Sequence, residues 1–141
     1  MTGASREEIV AFLARDFPQS AGNGVIESVG GGRAVIRQAV DDAHLRPGGT
    51  VSGPTLMALA DFALYVAILG EIGIVPLAVT TSLNFNFLRK PAAGADLVAE
   101  CRLLKCGRSL AVGEVSIRSD GSDDPVAHAT GTYAIPPRDR G

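Results

Sequence analysis

The longest apolar stretch of the sequence runs from Pro47 to Gly70 and contains a single charged side chain, Asp61. From about Pro54 to Glu71 the pattern predicts a helix that is apolar on nearly every side, about 25 Å long at ~1.5 Å per residue. Such a helix is expected to be buried inside a domain. A membrane span is the rival interpretation, and it is disfavoured because glycines and prolines interrupt the run and a carboxylate lies within it.

A buried carboxylate is costly unless other groups hydrogen-bond it or a reaction uses it. Asp61 is therefore the main candidate for a functional residue. It could equally be a hydrogen-bonded carboxylate of the core or of an interface, with no role in chemistry. Met57 and Tyr65, four residues to either side, share its helix face and line either a ligand pocket or the core.

The composition indicates one ordinary globular domain. The chain has 141 residues, of which 46% are hydrophobic, enough to build a core. A net charge of −2 and the absence of a basic run argue against a nucleic-acid binder. The charged N-terminal residues, including Arg6, Glu7 and Glu8, are unlike a secretory signal.

The two cysteines and two histidines suggest neither a disulfide nor a metal site. Cys101 and Cys106 are five residues apart in a predicted strand, which places them on opposite faces. Two reduced thiols fit a cytoplasmic protein. His44 and His128 are far apart in the sequence, so we expect no zinc site.

The remaining patterns predict one short helix and six strands. Residues 5–17 form an amphipathic helix, with Ser5 as its N-cap and Glu8 completing a capping box. Two strands, Val25–Val29 and Arg33–Val40, are joined across a triple-glycine turn. After Gly73 the periodicity becomes alternating, and four strands follow within 77–91, 95–107, 108–121 and 125–136.

This order predicts an α+β fold: a curved antiparallel sheet of about six strands wrapped around one long central helix, plus a short N-terminal helix. Such a sheet has two exposed edges, and the chain has few charged residues to protect them. Pairing of two sheets edge to edge in a dimer would cover one edge of each.

The segments GTVSGPTLMALAD and VTTSLNFNFLRKPAAGADLVAECRLLKCGRSLAVGEVSI carry a resemblance to a known family. They resemble hotdog-fold acyl-CoA thioesterases, and most closely the phenylacetate-degradation (PaaI-like) branch of the 4-hydroxybenzoyl-CoA thioesterase superfamily. The resemblance covers about residues 20–136. It implies a single hotdog domain, with an N-terminal helix in 1–19 and a flexible tail in 137–141.

The resemblance also implies the reaction and the site. The substrate would be an acyl-CoA, hydrolysed to free acid and CoA, with no metal and no cofactor beyond the coenzyme A of the substrate. Asp61 would be the general base or the nucleophile, and the backbone N–H of Gly53 would polarise the thioester carbonyl. A strand hydroxyl, Thr80 or alternatively Thr81, would complete the site. In the family the site spans a dimer interface, with that hydroxyl coming from the other subunit, and tetramers are common.

Two positions depart from the family pattern. Ser52 stands where a histidine is usual, and Arg46 stands where many members have an asparagine. Charged residues at strand ends, in two candidate pairs, would meet the phosphates of CoA. The residues predicted to bind substrate are Arg46, Ser52, Thr81, Arg89, Lys90, Lys105, Arg108 and Ser109.

Three other functions remain open at this point. The first is a non-catalytic hotdog protein that binds acyl-CoA, which the two departures at positions 46 and 52 favour. The second is a hotdog hydratase or dehydratase, which is disfavoured because neither histidine stands at a suitable spacing from the helix acid. The third is a purely structural or interaction domain.

Overall fold

The computed structural model describes residues 3–92 and 94–137. Two α-helices and six strands follow one another in the order α1, β1, β2, α2, β3, β4, β5, β6. The helices are α1 (Arg6–Asp16) and α2 (Gly53–Ile72). The strands are β1 (Val25–Gly30), β2 (Arg33–Gln38), β3 (Val79–Phe87), β4 (Leu97–Cys106), β5 (Leu110–Ser119) and β6 (Pro125–Ala134). The predicted flexible tail lies, apart from Pro137, outside the described residues.

The strands form one antiparallel sheet in the order β1-β2-β4-β5-β6-β3, which curves around α2. The predicted fold is therefore confirmed. β1 and β3 are the edge strands. The β1–β2 hairpin turns at Gly31 and Gly32, whose φ values of 64° and 74° suit the two-residue turns that match strand twist.

The central helix α2 forms the core with the inner face of the sheet. From Phe62 to Leu69 every residue is buried. By length and composition alone, α2 is long and apolar enough to span a membrane. Most of it, however, is buried inside the domain. Ser52 is its N-cap, with Oγ accepting from the Thr55 N–H at 3.3 Å, and Pro54 lies in the first turn.

A pair of strand glycines fixes where α2 lies on the sheet. Gly113 of β5 and Gly131 of β6 are paired in register, and Leu64 of α2 packs over both. A Cβ at Gly131 would be 2.5 Å from Leu64 Cδ1, and one at Gly113 would be 2.8 Å from Leu64 Cδ2. Only glycine lets the helix come this close.

A β-bulge in β4 overturns the prediction for the cysteines. Cys101 pairs with Val115 and Cys106 with Ala111, because an extra residue between Leu103 and Lys105 shifts the register. Both cysteines therefore face the core, Cys101 buried and Cys106 half-buried, instead of lying on opposite faces. They are not joined by a disulfide.

Candidate active site

Asp61 is half-buried, in the middle of α2, and its side chain accepts two hydrogen bonds on one oxygen. Thr80 Oγ1 donates to Asp61 Oδ1 at 2.5 Å, and Tyr133 Oη donates to the same oxygen at 2.8 Å. The Tyr133 hydroxyl is also 3.0 Å from the Asp61 carbonyl oxygen. The carboxylate is thus held by two strands, β3 and β6, that lie next to each other in the sheet.

A β-bulge in β3 decides which threonine reaches Asp61. Leu83, Phe85 and Phe87 face the helix side, so regular alternation would turn Thr81 inward and Thr80 outward. Thr80 pairs with Tyr133 and Ser82 with Thr132, which leaves Thr81 as the extra residue. Thr81 is exposed, and its hydroxyl donates to the Thr132 carbonyl at 3.3 Å. Of the two predicted hydroxyls, Thr80 is the one at the carboxylate.

Thr80 and Asp61 belong to the same chain, which differs from the arrangement that the resemblance implied. There the hydroxyl was expected from the other subunit. The short Thr80–Asp61 distance follows from the fold of one chain, because β3 begins beside the middle of α2. The other predicted group, the backbone N–H of Gly53, does not lie beside the carboxylate within the same chain.

Gly53 does not meet Asp61 within one chain. Eight residues of helix separate them, or about 12 Å, and they line different concavities. The first, which we call the aspartate pocket, has a volume of about 440 Å³ and is largely apolar. It is lined by Phe12, Asp16, Phe17, Asn23, Asp61, Phe62, Tyr65, Pro76, Leu77, Ala78, Val79, Thr80 and Tyr133.

The second concavity, which we call the glycine pocket, has a volume of about 350 Å³ and is basic at its rim. It is lined by Arg46, Thr50, Val51, Gly53, Leu56, Phe87, Leu88, Arg89, Lys90 and Pro91. Three of the predicted substrate-binding cations therefore lie around Gly53. The Arg89 guanidinium is partly engaged, since Nε donates to the Pro125 carbonyl at 2.9 Å and Nη1 is 3.6 Å from Asp124.

The other predicted binding residues are in different places. Ser52 caps α2 and its hydroxyl lies 2.8 Å from that of Thr55, so it is engaged at the helix start. Lys105, Arg108 and Ser109 are exposed near the β4–β5 turn and line neither pocket. That turn lies at the end of the sheet where β3 begins, because Leu110 and Val79 both pair with Ala134.

Two residues at the site were not predicted from the sequence. Tyr133 is 3% exposed, and a buried tyrosine hydroxyl normally has a hydrogen-bond partner. That rule, together with the one carboxylate predicted on the central helix, could have indicated the contact. Phe87 covers Gly53, with its Cζ 3.3 Å from where a Cβ would be. Tyr65, whose face was predicted, lines the aspartate pocket, whereas Met57 is 40% exposed and not in the core.

Burial raises the pKa of Tyr133, and the nearby Asp61 charge raises it further. The hydroxyl therefore stays protonated at neutral pH and remains a donor. Within the described ranges, no group of three or more His, Cys, Asp and Glu could hold a metal ion. The groups that meet at Asp61 are its carboxylate and two hydroxyls, and the rest of the pocket wall is largely apolar.

A helix inside a six-stranded curved sheet, with a carboxylate facing a pocket, defines a hotdog-fold protein. Residues 48–126 match the family model described as the thioesterase superfamily, and the chain belongs to that family. The predicted family, fold and thioesterase class are thereby confirmed.

Three relatives illustrate the similarity. A protein from Silicibacter sp. TM1040, assigned as a thioesterase, is 44% identical, with 97% of this chain and 95% of that one covered and a TM-score of 0.88. A mutant of the phenylacetic acid degradation protein PaaI from Thermus thermophilus is 30% identical over 84% of this chain and 99% of its own, with a TM-score of 0.73. Human acyl-coenzyme A thioesterase 13 is 26% identical over 94% of each chain.

Proposed function

We propose that this protein hydrolyses acyl-CoA thioesters to free acid and CoA, with Asp61 as the reacting carboxylate. The observation that carries the proposal is the geometry of Asp61: it is held on one oxygen by two hydroxyls and faces an apolar pocket. A carboxylate so placed can take a proton from water or attack the thioester carbonyl itself. An acyl group would lie against the apolar wall.

We further propose that the complete site forms between two protomers. The outer edge of β3 pairs with no other strand that the structure describes. Val79 and Phe87 at its two ends, and Leu88 just after it, are each about half exposed. An unpaired edge of this length that carries exposed apolar side chains favours pairing with a second copy. The two strands would run antiparallel about a two-fold axis.

This pairing would bring the two half-sites together. When two copies of β3 overlap along their full length, position 80 of one strand lies beside positions 86 and 87 of the other. Thr80 marks the aspartate pocket and Phe87 marks the glycine pocket. Asp61 of one protomer would then act on a carbonyl polarised by Gly53 of its partner. An amide at a helix N-terminus suits that role, since it points outward at the positive end of the helix dipole.

The basic residues would contact the nucleotide of CoA. Arg46, Arg89 and Lys90 surround the glycine pocket, and Lys105 and Arg108 lie at the sheet end that faces the partner's glycine pocket in such a dimer. We expect Lys90→Ala or Lys105→Ala to raise KM for acyl-CoA and to leave KM unchanged for the acyl-N-acetylcysteamine thioester, which has no phosphates. Equal effects on both substrates would contradict this assignment.

The first test is thioester hydrolysis followed with a thiol-reactive dye. Wild type and Asp61→Asn are compared on phenylacetyl-, benzoyl- and fatty-acyl-CoAs, after circular dichroism shows that both are folded. We expect turnover by wild type and its loss in Asp61→Asn. If no ester is hydrolysed while CoA esters raise the melting temperature, the protein is instead a non-catalytic acyl-CoA binder, with Ser52 and Arg46 in place of catalytic groups.

A subunit-mixing experiment tests the shared site. Asp61→Asn and Gly53→Val are each expected to be inactive, and they are refolded together. In a mixed dimer one site has both residues mutated and the other has both intact. Random mixing should therefore restore up to about a quarter of the wild-type activity. No recovery, with mixed dimers shown by native mass spectrometry, would refute the shared site and leave the role of Asp61 intact.

Two wider proposals concern the oligomeric state and the location of the protein. We propose a homodimer as the minimum active unit, which could associate further into a tetramer. The two cysteines, which form no disulfide with each other, support a cytoplasmic location, where thiols stay reduced.

A further inference from the structure

Tyr133 makes the most specific contact of the site that the proposed reaction leaves without a role. Its hydroxyl reaches both the side chain and the main chain of Asp61, at 2.8 Å to Oδ1 and 3.0 Å to the carbonyl oxygen. The ring is buried on the inner face of β6, so the hydroxyl cannot swing away to solvent. These two contacts connect a rigid strand to one particular rotamer of the helix aspartate.

We propose that Tyr133 is a positioning residue, which together with Thr80 saturates Asp61 Oδ1 so that Oδ2 alone is presented to the water or the thioester. This inference rests on the proposed function. It assigns to one oxygen the proton transfer or the attack that the carboxylate would perform.

The hydrogen-bond count supports the assignment. A carboxylate oxygen has about two acceptor positions, and Oδ1 accepts from both Thr80 and Tyr133. Among the side chains that the structure describes, no hydrogen bond to Asp61 Oδ2 is formed. One oxygen is therefore used for holding and the other is available for chemistry.

The donor is also present at neutral pH. Burial, and then the charge of Asp61, raise the pKa of Tyr133, so its hydroxyl keeps its proton there. The contact to the Asp61 carbonyl oxygen adds a second restraint, since rotation of the aspartate side chain would leave the hydroxyl with the backbone acceptor alone. Small misplacements of a reacting group can cost about 10²-fold in rate.

Tyr65 provides a matched control. It lines the same pocket, its ring centroid is 6.3 Å from that of Tyr133, and it is similarly buried. Its hydroxyl, however, donates to the Pro76 carbonyl oxygen at 3.2 Å and makes no bond to Asp61. Removal of either hydroxyl deletes one oxygen atom and one hydrogen-bond donor from the wall of the same pocket.

The experiment compares Tyr133→Phe with Tyr65→Phe in the full-length protein. We expect Tyr133→Phe to lower kcat about 10-fold or more with KM within about twofold of wild type, because the substrate pocket is intact while the reacting oxygen is misplaced. Tyr65→Phe should lower kcat less than Tyr133→Phe does, because the Tyr65 hydroxyl donates to the Pro76 carbonyl and makes no contact with Asp61. Thr80→Val should resemble Tyr133→Phe, and the two effects should not multiply in the double variant, since both act through the same oxygen.

The carboxylate stretching bands of Asp61 give a readout that does not need turnover. They are obtained as the infrared difference between each protein and the same protein carrying Asp61→Asn. We expect these bands to shift in Tyr133→Phe, where Oδ1 loses a donor, and to stay in place in Tyr65→Phe.

Each result bears on one proposal. Loss of activity in Asp61→Asn with an unchanged kcat in Tyr133→Phe would overturn the positioning role and leave the hydrolase intact. Unshifted bands in Tyr133→Phe would overturn it whether or not any ester is hydrolysed. Shifted bands in a protein that hydrolyses no ester would support the hydrogen-bond arrangement while the proposed hydrolysis fails.

Discussion

Gly131→Ala should destabilise the protein and impair the site, because the added methyl group would clash with Leu64. The added Cβ would be 2.5 Å from Leu64 Cδ1 and 3.2 Å from Leu83 Cδ1, whereas carbon atoms in contact lie about 3.5–4.0 Å apart. The two carbon atoms must therefore move apart by about 1 Å or more. Leu64 is 1% exposed and cannot move into solvent, and β6 is held on both sides by β3 and β5. We therefore expect the helix to be the part that moves.

The magnitude follows from two opposed effects. Overpacking of a core costs about 1–3 kcal/mol, and replacing a strand glycine recovers roughly 0.5–1 kcal/mol of backbone entropy. We expect a net loss of about 1–2 kcal/mol in the free energy of unfolding, measured by urea denaturation. Asp61 lies one helical turn before Leu64, so the same displacement should stretch its bonds to Thr80 and Tyr133 and lower kcat by up to about 10²-fold.

A double mutant makes the reasoning refutable. Leu64→Ala alone should cost about 2–5 kcal/mol, and the added methyl group of Gly131→Ala should then occupy part of the cavity. The double variant should be no less stable than Leu64→Ala alone. Gly22→Ala, where a Cβ meets nothing within 4 Å, is the control and should change stability by less than about 0.5 kcal/mol. Additive losses, or a Gly131→Ala variant as stable as this control, would refute the proposed contact.

Three further predictions concern the site and the core. Thr80→Ser keeps the hydroxyl and should retain most of the activity that Thr80→Val loses; equal kcat values in the dye assay would exclude a role for the hydroxyl. Gly53→Ala places a Cβ 3.3 Å from Phe87 Cζ. It should lower kcat/KM and leave the melting temperature unchanged, since the exposed Phe87 ring can move aside. A fall in the melting temperature would instead show that the substitution acts on folding. Burial raises the pKa of Cys101 to about 12 from an ordinary 9.0. The folded state therefore binds the thiol proton more tightly than the unfolded state does. The resulting contribution to the free energy of unfolding is complete below pH 9 and should be lost between pH 9 and about 12. Denaturation curves of Cys101→Ala should lack this pH dependence.

The sequence was sufficient to predict the two α-helices, the six strands and the burial of the long helix. The helix pattern around Asp61 and the alternation after Gly73 indicated a buried helix and a sheet, because both periodicities are local properties of the chain. Asp61 itself stood out because charge is rare in such a helix. The separation of Gly53 and Asp61 into two pockets also follows from helix geometry, once the position of β3 is known.

What could not be predicted depends on contacts between distant residues. Tyr133 is 72 residues from Asp61 in sequence, and nothing local indicates that β6 lies beside β3. The cysteines were wrongly placed because alternation assumes a regular strand, and one extra residue between Leu103 and Lys105 reverses it. Bulges have no strong signature in a single sequence.

The bulge at Thr81 has a consequence for comparing relatives. A strand displays alternate residues to the active site, so inserting or deleting one residue exchanges the displayed set for the hidden one. The hydroxyl that meets the helix aspartate is therefore specified by counting along β3 from the bulge, and the number of residues from Asp61 is a poor guide to it. An alignment that slides β3 by one position would keep a threonine in the column and still assign the site to a side chain that faces away.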